Sequence, residues 1–134
     1  MRDDRFREQP HARAQGRVGE DDAVDWLRRQ SYRIVDRNVD NYAGELDVIA
    51  RDGEILCFVE IKARSNRAYG PAIAAIPKQK QRKIARAAAL YLVDHPTELA
   101  CRFDVLAMDL GDGGWRYTLV KDAFPAPMAS YGGY

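Results

Sequence analysis

Asp47, Glu60 and Lys62 are the residues whose types and spacing point most directly to chemistry, with Glu45 and Glu20 as further acids. Two largely apolar runs, Leu46 to Ala50 and Ile55 to Ile61, flank Asp52-Gly53. An Asp-Gly pair between such runs is a strong hairpin signal, because a type I′ turn needs positive φ. With Asp52 and Gly53 as the turn, Arg51 faces Glu54, Asp47 faces Phe58 and Glu45 faces Glu60. Side chains alternate along a strand, so Glu45, Asp47, Glu60 and Lys62 share one face. Asp47 is then a diagonal neighbour of Glu60, within reach of a shared ion. Like charges opposed on a sheet destabilise it, and burying a carboxylate costs more still. A divalent cation would remove that repulsion. The bland alternative is a surface hairpin in which Lys62 neutralises Glu60. The near-continuous apolar run Ile55 to Ile61 argues against it, because such a run implies burial on both faces. Leu46, Val48, Ala50, Ile55, Cys57, Val59 and Ile61 form a core-packing face, and Ile49, Leu56 and Phe58 join the charged face toward the turn.

These strands need a domain around them. The chain has 134 residues, enough for one domain with a sizeable core. Its 21 basic and 20 acidic residues nearly cancel, so any nucleic-acid site must come from a local patch. Cys57 and Cys101 lack metal or redox spacing and read as reduced thiols, as expected of a cytoplasmic protein, with a disulfide between neighbouring strands as the alternative. His11 and His95 are isolated and offer no zinc spacing. The N-terminus lacks the apolar core of a secretory signal, and no run reaches the ~20 apolar residues of a membrane span.

Residues 1–12 are charged and aperiodic and read as a disordered lead. Arg13 to Gln30 reads as a helix with Ala23, Val24 and Leu27 on its apolar stripe. Glu20 precedes those residues by three, four and seven positions, so it lies on the same inward stripe. Tyr32 to Val39 is a first strand, Asp40 to Ala43 a turn, and the hairpin supplies strands two and three. Ser65 to Ala75 is loop-like, and Pro77 to His95 is a second helix with Ile84, Ala87, Ala88, Tyr91 and Leu92 buried. Lys78, Lys80, Arg82, Lys83 and Arg86 crowd the first half of that helix, against its dipole. They read as a solvated face or as contacts to a phosphate backbone. Arg102 to Leu110 and Trp115 to Lys121 are the last strands, and residues 123–134 a loose tail. The expected fold is therefore one α/β (α+β) domain over 13–122, in the order αβββαββ, with a central mixed sheet flanked by helices.

Two acids on adjacent strands followed by a lysine resemble the PD-(D/E)xK nuclease superfamily, with Asp47 as first acid and Glu60-Ile61-Lys62 as E-x-K. A closer resemblance is to the YraN-like family of bacterial proteins, described only as nuclease-like. It rests on Gly16, Gly19-Glu20, Ala23, Leu27, Arg37-Asn38, Gly44-Glu45-Leu46-Asp47, Phe58-Val59-Glu60-Ile61-Lys62, Arg64, Gly70, Lys80-Gln81, Ala87-Ala88, Tyr91-Leu92 and Arg102-Phe103-Asp104-Val105. One departure follows Asn38. The family often carries a basic residue there, whereas this chain has Val39-Asp40-Asn41, which weakens any DNA contact from that turn.

The resemblance implies a restriction endonuclease-like core and Mg²⁺-dependent hydrolysis of phosphodiester bonds in DNA, with Mn²⁺ as a substitute. The metal would be held by Asp47, Glu60 and the Ile61 carbonyl, with Glu20 holding a second metal or its waters. An inward helical glutamate resembles archaeal Holliday-junction resolvases, which implies branched or damaged DNA. Lys62 would orient the attacking water or stabilise developing charge. Glu45 ranks as a secondary acid. Lys80 would approach the site or the phosphate, and Arg64, Lys80, Arg82, Lys83 and Arg86 would contact the backbone. The alternative reading is a non-catalytic nucleic-acid-binding module of the same fold. A homodimer is left open, and no membrane partner is expected.

Overall fold

The computed structural model describes residues 8–64 and 76–125, with side chains described from Gly19 onward. A helix, α1 (Glu8–Arg29), precedes three strands, β1 (Arg33–Asn41), β2 (Gly44–Asp52) and β3 (Ile55–Arg64). A second helix, α2 (Lys78–Asp94), leads to β4 (Ala100–Gly111) and β5 (Gly114–Phe124). The strands form one sheet in the order β1-β2-β3-β4-β5. Every neighbouring pair is antiparallel except β3 and β4, which run parallel. A parallel pair needs a long crossover, and α2 lies within it. The expected α+β fold and element order are those observed.

Each helix covers one face of the sheet. Ala23, Val24 and Leu27 of α1 pack on Val48, Ala50, Cys57, Val59, Leu106 and Met108. Ile84, Ala87, Ala88 and Tyr91 of α2 pack on Ile49, Leu56, Phe58, Phe103, Val105 and Ala107. Odd and even positions of β2, β3 and β4 thus feed different layers, which is why those strands read as continuous apolar runs. Leu46 is an exception to the expected alternation, joining the α2 layer. Cys57 belongs to the α1 layer and Cys101 borders the α2 layer. Both thiols are free, and opposite faces rule out a bridge between them. Burial pushes the Cys57 thiol up to about 12, so it is inert.

Several boundaries differ from expectation. α1 begins at Glu8, so residues 8–12 are helical rather than part of a disordered lead. Pro10 falls in the first turn, where its missing N–H costs nothing, and the following residues extend the helix anchored by Ala23 to Leu27. β5 runs on to Phe124, whose ring stacks on Phe103 at 4.9 Å. Residues 123–124 therefore belong to the domain, because the aromatic finds a place in the α2 layer. The loop expected over 65–75, and the tail beyond 125, lie outside the described residues. Among the described residues no helix is long and apolar enough to cross a membrane.

The α1 side holds a buried polar network. Asp104 is fully buried. Its carboxylate accepts from Tyr32 Oη at 2.8 Å, from Arg102 Nε at 2.8 Å and from the Asp122 N–H at 3.0 Å. Arg102 also donates to Tyr32 Oη and to Asp52 Oδ2, each at 2.9 Å, and Lys121 reaches the same Asp52 oxygen at 3.2 Å. These bonds join Tyr32, between α1 and β1, to β2, β4 and β5. Arg102 and Lys121 hold the Asp52 carboxyl below its ordinary range. Burial and the Asp104 carboxylate keep the Tyr32 hydroxyl protonated far above its ordinary range.

Candidate active site

The hairpin forms, but its register is two residues away from the expected one. Asp52 pairs with Ile55, and Gly53-Glu54 is the turn. Gly53 sits at φ +62°, while Glu54 is not among the residues at positive φ. That pattern fits a type II′ turn, which needs glycine only at its first position, and leaves Asp52 in the strand where Arg102 and Lys121 hold it. Ile49 consequently faces Phe58, and Val48 faces Val59. Continued by one residue, the register sets Asp47 across from Glu60, rather than diagonal to it. A slip of two preserves the face of every side chain, so the shared face of Asp47, Glu60 and Lys62 survives the correction.

The ladder opens at this point. The Asp47 Oδ2 atom accepts the Ile61 N–H at 2.9 Å. Asp47 is half-buried, and Glu60 is 8% exposed. Burial raises Asp47 to about 7, helped by the Glu60 charge and, less, by Glu20, against the Ile61 N–H and Lys80. Burial also raises Glu60, against the opposing pull of Lys80, of hydrogen bonding to Asp47 and of Lys62. Two neighbouring carboxylates in low dielectric resist double ionisation.

Helix α2 supplies the opposing charge. Lys80 Nζ lies 3.3 Å from Glu60 Oε2. Pro77 caps the helix without a side-chain bond, and its first turn carries no acid. The Glu60 contact therefore offsets part of the unfavourable placement of Lys80 at the helix N-terminus. A cleft of about 230 Å³ opens here, lined by Gly44, Glu45, Asp47, Glu60, Lys80, Lys83 and Ile84. Gly44 takes φ +151°, a conformation that a side chain disfavours, and brings bare backbone to the cleft wall.

Not every expected residue converges. α1 covers the opposite face of the sheet, yet the Glu20 charge is felt at Asp47, where it adds to the upward shift. Among the described residues no three acidic, histidine or cysteine side chains form a metal-binding group. Lys62 is half-buried and acts electrostatically on Glu60. Arg64, expected to contact the backbone, is 11% exposed and grips Asp109 with Nε at 2.8 Å and Nη2 at 3.2 Å. The partner comes from a strand 45 residues away, which sequence spacing does not reveal. Lys80 and Lys83 line the cleft, while Lys78, Arg82 and Arg86 are exposed and do not.

The Asp47 shift predicts a pH dependence. Its folded pKa lies above the ordinary 3.8, so the unfolded chain ionises first as pH rises. The corresponding stability is present below about pH 4 and is lost by about pH 7, at no more than ~1.4 kcal/mol per pH unit. In chelator, the denaturation midpoint of the native protein should fall relative to Asp47→Asn across this window. Parallel pH profiles for the two proteins would contradict the shift.

Residues 19–108 match the pattern of uncharacterised protein family UPF0102. The chain is 44% identical over 117 residues to a UPF0102 protein of Symbiobacterium thermophilum, covering 86% of this chain and 99% of the relative. It is 41% identical over 120 residues to one of Alkalilimnicola ehrlichii, covering 88% and 91%. Both matches span the paired carboxylates and the helix that faces them. By sequence pattern and by relatives alike, the chain belongs to family UPF0102, the YraN-like family.

Proposed function

We propose that this protein is a metal-dependent nuclease that hydrolyses phosphodiester bonds in DNA, of the PD-(D/E)xK type. One observation carries the reading: Asp47 and Glu60 lie side by side on the α2 face, with Lys62 two residues beyond and the Lys80–Lys83 row across the cleft. The pair suits a hard divalent cation. Mg²⁺ is commonly held by one or two carboxylates, with water and substrate oxygens completing its shell. Two repelling carboxylates with raised pKa values are such a donor set, and the Ile61 carbonyl is the further oxygen we assign. A bound Mg²⁺ or Mn²⁺ supplies Lewis acidity and a more acidic water.

The chain's own groups do the remaining work. Lys62 orients the attacking water and stabilises charge on the phosphate oxygens. The Ile61 N–H holds the Asp47 carboxylate in place. Lys80 neutralises Glu60 in the free protein and is available to the substrate phosphate. Lys83 guides the backbone into the cleft, and Glu20 and Glu45 act from outside the pair. The free thiols fit a cytoplasmic setting. The test is cleavage of single-stranded, duplex, flapped and four-way DNA with Mg²⁺ or Mn²⁺, against chelator. Metal-dependent cleavage of any of them supports the reading. A second reading, a binding module without catalysis, draws on the lack of a third ligating side chain among the described residues. It takes over if binding occurs and cleavage never does.

The cleft row makes a separate prediction. Losing one phosphate contact lowers the salt slope of binding by about one unit. Lys83→Ala should show that drop equally on all sequences. Arg82→Ala with Arg86→Ala should leave the slope unchanged, since neither residue lines the cleft. The reverse pattern would assign the backbone path to the outer row.

A further inference from the structure

Tyr42 is 94% exposed, the most exposed of the large apolar side chains on the described surface. It occupies the two-residue turn between β1 and β2, closed by the Asn41–Gly44 pair. Single exposed aromatics are common and need no explanation by themselves. Three features set this one apart. The turn is rigid: Asn41 Oδ1 accepts the Ala43 N–H at 3.0 Å, and Asn41 Nδ2 donates to the Ala87 carbonyl at 3.2 Å. The hairpin tip is thereby fastened to α2 one turn beyond Lys83. The tip also adjoins the candidate site, since Gly44 and Glu45, two and three residues on, line the cleft. Finally, the tip carries Asp40 and Glu45, both exposed, and no cation between Val39 and Asp47. Such a tip repels phosphate but offers a neutral ring.

We propose that Tyr42 is a stacking platform for an unpaired nucleobase, so that the preferred substrate is DNA with an extrahelical or unpaired base beside the scissile backbone. This rests on the nuclease reading and narrows its substrate class. The chemistry follows from the charges. Lys80 and Lys83 draw the backbone to one wall of the cleft, and the acidic tip turns phosphates away from the other. A base that has left the helical stack exposes both faces of its ring. An aromatic side chain held in one place takes such a face without reading its sequence. A fully paired duplex leaves no ring for Tyr42 to cover. The fixed hairpin also limits the ordering cost of binding.

The experiment compares a duplex carrying one extrahelical 2-aminopurine with its fully paired counterpart. Binding is measured by anisotropy in Ca²⁺, and stacking by 2-aminopurine fluorescence. Native protein should favour the extrahelical duplex roughly 5- to 150-fold. Tyr42→Ala should abolish the preference while leaving paired-duplex affinity unchanged. Tyr42→Phe and Tyr42→Trp should retain it, because stacking needs the ring and not the hydroxyl. The side chain's exposure makes loss of folding an unsuitable explanation, and an unchanged melting temperature for Tyr42→Ala confirms this. Equal binding of both duplexes by the native protein, or a preference that survives Tyr42→Ala, overturns the proposal while leaving the nuclease reading intact. Failure to bind either duplex also overturns the proposal, and the nuclease reading is then decided by the cleavage assay on the other substrates.

Discussion

Lys62→Ala should lower metal-dependent cleavage by ~10²–10³ while leaving folding and DNA affinity nearly unchanged. Lys62 stands two residues after Glu60 on the same strand, so the two side chains share a face. Its charge acts on Glu60, yet Glu60 makes its direct ion pair with Lys80. On the proposed nuclease reading, Lys62 would therefore serve the reacting phosphate rather than the acid beside it. A group that stabilises only the developing charge affects kcat and kcat/KM together, with little change in binding. Lys80→Ala should behave differently. It removes the counter-ion of Glu60 and should raise the pH at which the pair ionises, moving the rising limb of the pH–rate profile upward. A Lys62→Ala variant that cleaves at the native rate would remove this residue from the chemistry.

Asp104→Ala should destabilise the protein by ~3–5 kcal/mol, the usual cost of breaking a buried ion pair by removing one partner. Asp104 is fully buried and satisfies Tyr32, Arg102 and the Asp122 N–H at once. Its loss leaves the Arg102 guanidinium with Asp52 as its one carboxylate partner, beside the neutral Tyr32 hydroxyl, and opens a polar void in the α1 layer. A domain of this size has ~5–15 kcal/mol in total, so the variant approaches the unfolding threshold. Asp104→Asn keeps part of the hydrogen bonding and should lose less. Chemical denaturation measures both. A loss under ~1 kcal/mol for Asp104→Ala would show that the network is dispensable. The network sits on the α1 face, whereas the carboxylate pair sits on the α2 face, so partly folded variants should not be mistaken for catalytic ones.

The strand face of the candidate site was legible because alternation depends on parity. Asp47, Glu60 and Lys62 stay on one face under any even slip of the hairpin. The register itself was not legible. Asp-Gly and Gly-Glu both make acceptable turns, and Asp52 stays in the strand through Arg102, 50 residues away. Glu20 shows a second limit. Helical spacing sets it in line with Ala23, Val24 and Leu27 of α1, but cannot say which side of the sheet that stripe covers. Arg64 shows a third, since a basic residue beside an acidic motif looks free until Asp109 is brought to it. The buried network left one trace: Arg102 and Asp104 sit two apart in a strand whose only other charge is Asp109, and must share a face.

If Asp47 and Glu60 form a divalent-cation site, calorimetric titration with Mn²⁺ at about pH 7 should reveal it. Metal binding to a partly protonated carboxylate pair must release protons, so the observed heat should change with the ionisation enthalpy of the buffer. The native protein should take up Mn²⁺ at this pair with proton release, and Asp47→Asn should lose both the uptake and the buffer dependence. Uptake that persists unchanged in Asp47→Asn, or a native protein that takes up no Mn²⁺ with or without DNA, would contradict the account.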